Sequence, residues 1–263
     1  MRTRIVPVLL LKNGQLVRST QFGLHRTIGD PFTQCTRFNS WNIDEIMYID
    51  ISGHETSRTF WRQDKFKSFT EEVTEIQKLV AAECRVPLAW GGNIRKYDDA
   101  SRIIGEFGAD KVIFTSALSL CPNEIEKTSK TFGQQAICIG IDFRVKNGEH
   151  QIFINSGSTI VDTTLKDWVR MAESIGAGEI LLHGIDRDGT RSGYDLSTFD
   201  LVSTYTNLPI VILGGAGEPG HLVAGARAGA SAVAAANMWH FTENVADVLR
   251  EQFHVEGLNV RRL

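Results

Sequence analysis

The sequence has no run of 18 apolar residues, so no segment reads as a membrane-crossing helix. Its basic start, Met1 to Arg4, leads into a strand-like segment and not into a signal-type apolar stretch. Cysteine is sparse. Cys35, Cys84, Cys121 and Cys138 lie far apart, with no C-x-x-C pair and no histidine at ligand spacing. That excludes a sequence-local zinc site and a disulfide framework, and fits reduced thiols. Nor is there an excess of positive charge: a formal net charge of −3 supplies no field for nucleic acid. No linker rich in proline, serine or glycine interrupts the chain, and no metal or cofactor signature appears. The expectation is a soluble, cytoplasmic, single-domain protein over residues 1–263 that engages neither membrane nor nucleic acid.

What is present is a regular alternation. Short apolar runs rich in β-branched residues recur, each followed by a stretch of helical periodicity. The strand candidates are "RIVPVLL", "EIMYIDI", "VPLAW", "KVIFTSA", "AICIGID", "EILLHGI", "LPIVIL" and "SAVAAAN". Between them lie helix candidates such as "SFTEEVTEIQKLVAAEC" and "KDWVRMAESIG". Strands apolar at successive positions are buried on both faces, which suits a parallel sheet covered by helices. Eight such units in 263 residues predict an α/β fold, a closed (β/α)8 TIM barrel. The halves echo each other. "WGGNI" then "GADKVIFTSAL" parallels "LGGAG" then "GASAVAAANMW", and "VLLLKNG" parallels "IDFRVKNG", so a two-fold half-barrel repeat is expected. The segment 52–68 is long for a connection and dotted with aromatics, and reads as a lid, a partner contact or a disordered excursion.

In such barrels the strand C-termini form the active face. Gly91-Gly92 and Gly214-Gly215 fall there, after the third and seventh strands. Glycines at that place let backbone N–H groups approach an anion, and each pair has a second reading as a tight turn only. Thr115-Ser116 and Ala236-Asn237 complete the two halves with small donors, so a ligand with a phosphate at each end fits the pattern. "GIDRDGTRSGYD" after the sixth strand adds Asp188-Gly189, which present backbone donors, and Asp186 and Asp195, which shape the loop or cap the next helix. Asp50 and Asp142 end the second and fifth strands. Asp142 reads as a proton-transfer group, or else as a cap or ion-pair partner. His183 faces the mouth, either as a satisfied core histidine or as an acid–base group in its own right. At the other end Arg4, Glu45, Lys111 and Glu179 stand at strand entrances and suggest a salt-bridged ring across the floor.

These residues resemble the cyclase subunit family of imidazole glycerol phosphate synthase. "GAGEILLHGIDRDGTRSGYD", "LPIVILGGAG", "SAVAAANMWHF" and "RIVPVLLLKNG" with "IGDP" carry the likeness over nearly the whole chain. The resemblance implies a barrel that receives ammonia from a glutaminase subunit in a heterodimer and joins it to a bis-phosphate. It implies phosphate contacts at Gly92, Ser116, Asp188, Gly189, Gly215, Ala236 and Asn237. It implies an ammonia gate at Arg4, Glu45, Lys111 and Glu179, with the glutaminase at the N-terminal face.

The family's two catalytic aspartates fall on Asp142 and on Leu10, and its strand-one loop lysine falls on Arg18. Asn93 stands where its phosphate turn has glycine. Leucine moves no proton. The chain is most similar to a branch of cyclase-like proteins tied to surface polysaccharide, which share that leucine. That branch implies a further partner, an ATP-using amidotransferase that makes acetamidino sugars. The alternative expectation is the histidine-pathway cyclase itself.

Overall fold

The computed structural model describes residues 2–41, 43–52, 69–240 and 245–261. β1 (Arg4–Lys12) is followed by the hairpin strands β2 (Gln15–Thr20) and β3 (Leu24–Gly29), then α1 (Pro31–Asn39), β4 (Ile46–Asp50) and α2 (Phe69–Glu83). Next come β5 (Leu88–Gly91), α3 (Tyr97–Ser101), β6 (Lys111–Phe114), α4 (Ala117–Leu120) and α5 (Pro122–Phe132). The second half runs β7 (Ile137–Lys146), β8 (Glu149–Ile154), β9 (Thr159–Val161), α6 (Leu165–Ser174), β10 (Glu179–Gly184) and α7 (Leu196–Ser203). It ends with β11 (Ile210–Leu213), α8 (Pro219–Arg227), β12 (Ala232–Ala235) and α9 (Val245–Val255).

Eight strands pair in parallel in the order β1-β4-β5-β6-β7-β10-β11-β12, and β12 returns to β1. The sheet is therefore closed, with helices around it: a (β/α)8 barrel. The continuous apolar runs follow from this closure, because alternate residues serve two cores. Along β1, Val6, Val8 and Leu10 point into the lumen against Met47, Ile113 and Leu181. Ile5, Leu9 and Leu11 point outward into the layer beneath the helices, with Tyr48, Trp90 and Phe114.

The two halves share more than the glycine pairs. β1 and β7 each outrun the barrel rim and fold back through an Asn-Gly turn, Asn13-Gly14 and Asn147-Gly148. All four turn residues have φ between 53° and 81°, the left-handed conformation that two-residue hairpin turns require. This explains the repeated "KNG". It also shifts strand ends: β1 continues to Lys12 and β7 to Lys146, beyond the expected Leu10 and Asp142, because antiparallel partners extend the ladders. Residues 53–68, nearly all of the expected extended loop, lie outside the described residues.

Helix starts are set by side chains. Asp30 accepts a hydrogen bond from Thr33 N with Pro31 behind it, Thr164 from Asp167 N, and Asp195 from Thr198 N. Of the two roles open to Asp195, the cap is the one it takes. Among the described residues no helix is long and apolar enough to cross a membrane.

Candidate active site at the barrel mouth

The C-terminal ends of the strands and the two hairpins enclose a cavity of about 610 Å³. Leu10, Asp50, Asp142 and His183 reach it from β1, β4, β7 and β10, and Phe22 and His25 from the first hairpin. Four steps of the ladder separate β1 from β7, so Leu10 and Asp142 stand on opposite walls.

Asp142 has a close partner. His183 sits beside it in register, and His183 Nδ1 lies 3.0 Å from Asp142 Oδ1. Phe22 packs edge-on against the imidazole at 5.1 Å. Burial alone would push the imidazole pKa down. The hydrogen bond and charge of Asp142, aided by Asp188 and Asp186, outweigh it and hold the pKa above its ordinary value. His25 behaves oppositely. Burial and the nearby Lys12, whose Nζ lies 3.1 Å from its Nδ1, push it down.

Asp50 is committed to structure. It accepts from Ser52 N at 2.9 Å, from the Ser52 hydroxyl, and from Asn93 Nδ2 at 2.8 Å. A side chain at Gly92, where φ is 86°, would place its Cβ 2.0 Å from Asp50 O. The second pair is built alike: a Cβ at Gly214 would lie 2.4 Å from Gly184 O, and one at Gly215 2.1 Å from Gly193 O. Both Gly-Gly pairs are thus turns that clear a neighbouring backbone, whatever else they hold.

The candidate phosphate residues gather in two places. Gly92, Asn93, Thr115 and Ser116 line the main cavity with Arg95, whose Nη2 donates to Asn155 Oδ1 at 2.9 Å. Ser116 Oγ accepts from Asn155 N at 2.9 Å, which ties the second hairpin to this side. Gly189 and Asn237 line a separate cavity of about 250 Å³ with Arg18, Arg26 and Arg191. There Asn237 Nδ2 donates to Ser19 O at 2.7 Å, and Asp188 O accepts from Gln21 N at 2.7 Å. Gly214, Gly215, Asp188 and Ala236 do not line this second cavity. Sequence reasoning missed Arg26, Arg95, Lys12 and His25. The basic residues in "LHRTIG" and "GGNIR" were a signal, but only the fold turns them toward the mouth.

At the floor the four expected charges meet. Arg4 pairs with Glu45 and Glu179, and Lys111 Nζ reaches Glu179 at 2.8 Å and both Glu45 oxygens at 3.2 Å. Charges alternate around a closed ring. Burial raises the Glu45 carboxyl even against its two cations, while the acids hold Arg4 and Lys111 above their ordinary values although burial opposes it.

A closed β/α barrel with a polar mouth, one carboxylate–imidazole pair and a charged floor defines the class. Residues 4–244 match the family described as "Histidine biosynthesis protein", and the chain belongs to that family. It is similar to "Imidazole glycerol phosphate synthase subunit HisF" of Thermotoga sp., 37% identical over 258 residues, covering 98% of this chain and 97% of that protein. The protein of the same name in Metallosphaera sedula is 35% identical over 260 residues and that in Hydrogenobaculum sp. 34% over 260, each with 98% of both chains covered.

Proposed function

We propose that this chain is a cytoplasmic, synthase-like subunit that conducts ammonia but has lost the family's ring-closing chemistry. A glutaminase subunit docks on the floor around Arg4, Glu45, Lys111 and Glu179, and ammonia passes up the barrel to the mouth. There it serves an ATP-dependent amidotransferase that forms acetamidino sugars for lipopolysaccharide or other surface polysaccharide. Phosphate groups of a small ligand sit against Gly92, Asn93, Thr115 and Ser116 on one side, and Asp188, Gly189, Gly214, Gly215, Ala236 and Asn237 on the other.

The observation that carries this reading is Leu10. It lines the mouth opposite Asp142 and is 3% exposed. A bis-phosphate cyclization that uses one aspartate on each of two opposite walls lacks the one at position 10. Loss of one such group costs about 10²–10⁴ in rate.

The second reading is the histidine-pathway cyclase, forming imidazole glycerol phosphate and AICAR from the bis-phosphate PRFAR and ammonia. The names of the relatives are compatible with it, and the Asp142–His183 pair supports it by offering a second proton-transfer group on one wall. The deciding experiment incubates the purified chain with PRFAR and an ammonium salt, with imidazole glycerol phosphate scored by mass spectrometry. The conduit reading expects no product from the wild type and product from Leu10→Asp. Turnover by the wild type, abolished in His183→Ala, would establish the second reading instead.

A further inference from the structure

The first hairpin has two faces, and they serve different cavities. On β3, His25 lines the barrel mouth. Side chains alternate along a strand, so its neighbours Leu24 and Arg26 turn the other way, into the second cavity of about 250 Å³. There Arg26 stands directly across the ladder from Arg18 of β2, and Leu24 across from Thr20. Like charges opposite each other on neighbouring strands are destabilising. A third guanidinium joins them. Arg191 lines the same cavity from the loop after β10, and its φ of 61° is a left-handed conformation that a bulky residue rarely adopts. Gly217 makes room for it, since a Cβ there would collide with Arg191 Cγ. Among the described residues the lining carries three arginines and no acid.

We propose that this cavity takes a diphosphate group, with Arg18, Arg26 and Arg191 as the residues that select it over a single phosphate. Two features that cost stability, the opposed Arg18–Arg26 pair and the left-handed Arg191, converge on one place. An anion set among the guanidiniums turns their mutual repulsion into attraction. Each guanidinium is a planar fork that bonds two oxygens at once, so three forks suit the spread oxygens of two phosphoryl groups. Size agrees. At about 30 Å³ for each water-sized group the cavity has room for about eight, more than a phosphate fills and near what a diphosphate fills. The inference rests on the proposed function for one point, the phosphate place at Gly189 and Asn237, and adds which anion that place holds.

The test is isothermal titration of the full-length chain with inorganic pyrophosphate and with inorganic phosphate, at constant ionic strength and without divalent metal. Pyrophosphate should bind at least about tenfold more tightly than phosphate, and Arg26→Ala should lose about tenfold or more of that affinity. Arg26→Lys should recover only part of it, because an ammonium keeps the charge and loses the fork. Arg191→Gly separates selection from structure. Glycine relieves the left-handed strain, so the Tm of this variant should be no lower than that of the wild type while pyrophosphate affinity still falls.

ADP-ribose, a diphosphate carried inside a larger molecule, identifies the source. Binding tighter than that of pyrophosphate assigns the cavity to such a ligand, and weaker binding assigns it to free diphosphate. Absence of pyrophosphate binding, equal affinity for phosphate and pyrophosphate, or pyrophosphate binding unchanged in both Arg26→Ala and Arg191→Gly would overturn the proposal. So would a loss confined to Arg95→Ala, which places the anion in the main cavity. No ammonia or glutaminase enters the titration, so the conduit reading can fail with this proposal intact, and the reverse.

Discussion

His183 Nδ1 and Asp142 Oδ1 are 3.0 Å apart, held there by adjacent parallel strands in which the two residues are register partners. The pair has a measurable titration. Asp142 raises the His183 pKa above the ordinary value near 6.5, whereas burial acts against it. NMR should find wild-type His183 titrating above that value and the same residue below it in Asp142→Asn. The sign for stability follows. A raised folded-state pKa gives stabilisation that is complete below the unfolded value and is lost as pH rises through the folded one. Urea midpoints of the wild type should therefore exceed those of Asp142→Asn by more at about pH 6 than at about pH 9. Equal differences at the two pH values would mean that the imidazole is not charged in the fold.

Leu10 belongs to the apolar lumen cluster as well as to the cavity wall. Leu10→Asp removes that packing and places a carboxylate among Val8, Val17 and Phe22. Unfolding should cost about 2–5 kcal/mol less than in the wild type, by analogy with leucine truncations in cores. If the mouth is otherwise intact, the same variant should gain cyclization. Calorimetry and the product assay on one preparation separate a destabilised enzyme from an unaltered one.

Gly92 has both a positive φ and no room for a Cβ, which would meet Asp50 O at 2.0 Å. Gly29 has open space and an ordinary φ. Gly92→Ala should lose at least about 1–3 kcal/mol from backbone strain alone. It should also displace Asp50 and Asn93 from their 2.8 Å contact. Gly29→Ala should be close to neutral. Paired denaturation curves check this, and equal curves would remove the close-approach argument.

The barrel was legible because closure buries both faces of every stave, which writes uninterrupted apolar runs into the sequence. The floor ring was legible too, since its four charges interrupt such runs at their entrances. The hairpin strands β2 and β3 were not. "LHRTIG" is largely exposed, and "QLVRST" buries Leu16, Val17 and Ser19 without the strict alternation that marks a half-buried strand. The Asp142–His183 contact was hidden for another reason. It joins residues more than 40 positions apart whose meeting is set by strand register, which no local spacing encodes. The glycine pairs showed in sequence, but their first duty, clearing the Asp50 and Gly184 backbones, is visible only in three dimensions.

The floor ring makes the sharpest separation between bracing and gating. Glu45 and Glu179 are 2% and 5% exposed, and Lys111 contacts both. Lys111→Ala leaves two buried carboxylates sharing Arg4. Breaking a buried ion pair from one side costs about 3–5 kcal/mol. Lys111→Met should lose a similar amount, because its stem restores packing but not charge. Stability therefore falls in both variants whether or not ammonia passes. The gate is tested by stoichiometry in the complex with the glutaminase subunit: glutamate released per ammonia-dependent product formed. A gate predicts that Lys111→Ala and Lys111→Met both raise this ratio above the wild type, with free ammonia appearing in solution. A brace predicts an unchanged ratio at temperatures where the variants remain folded, since a ring that only holds the floor together has no influence on where the ammonia goes.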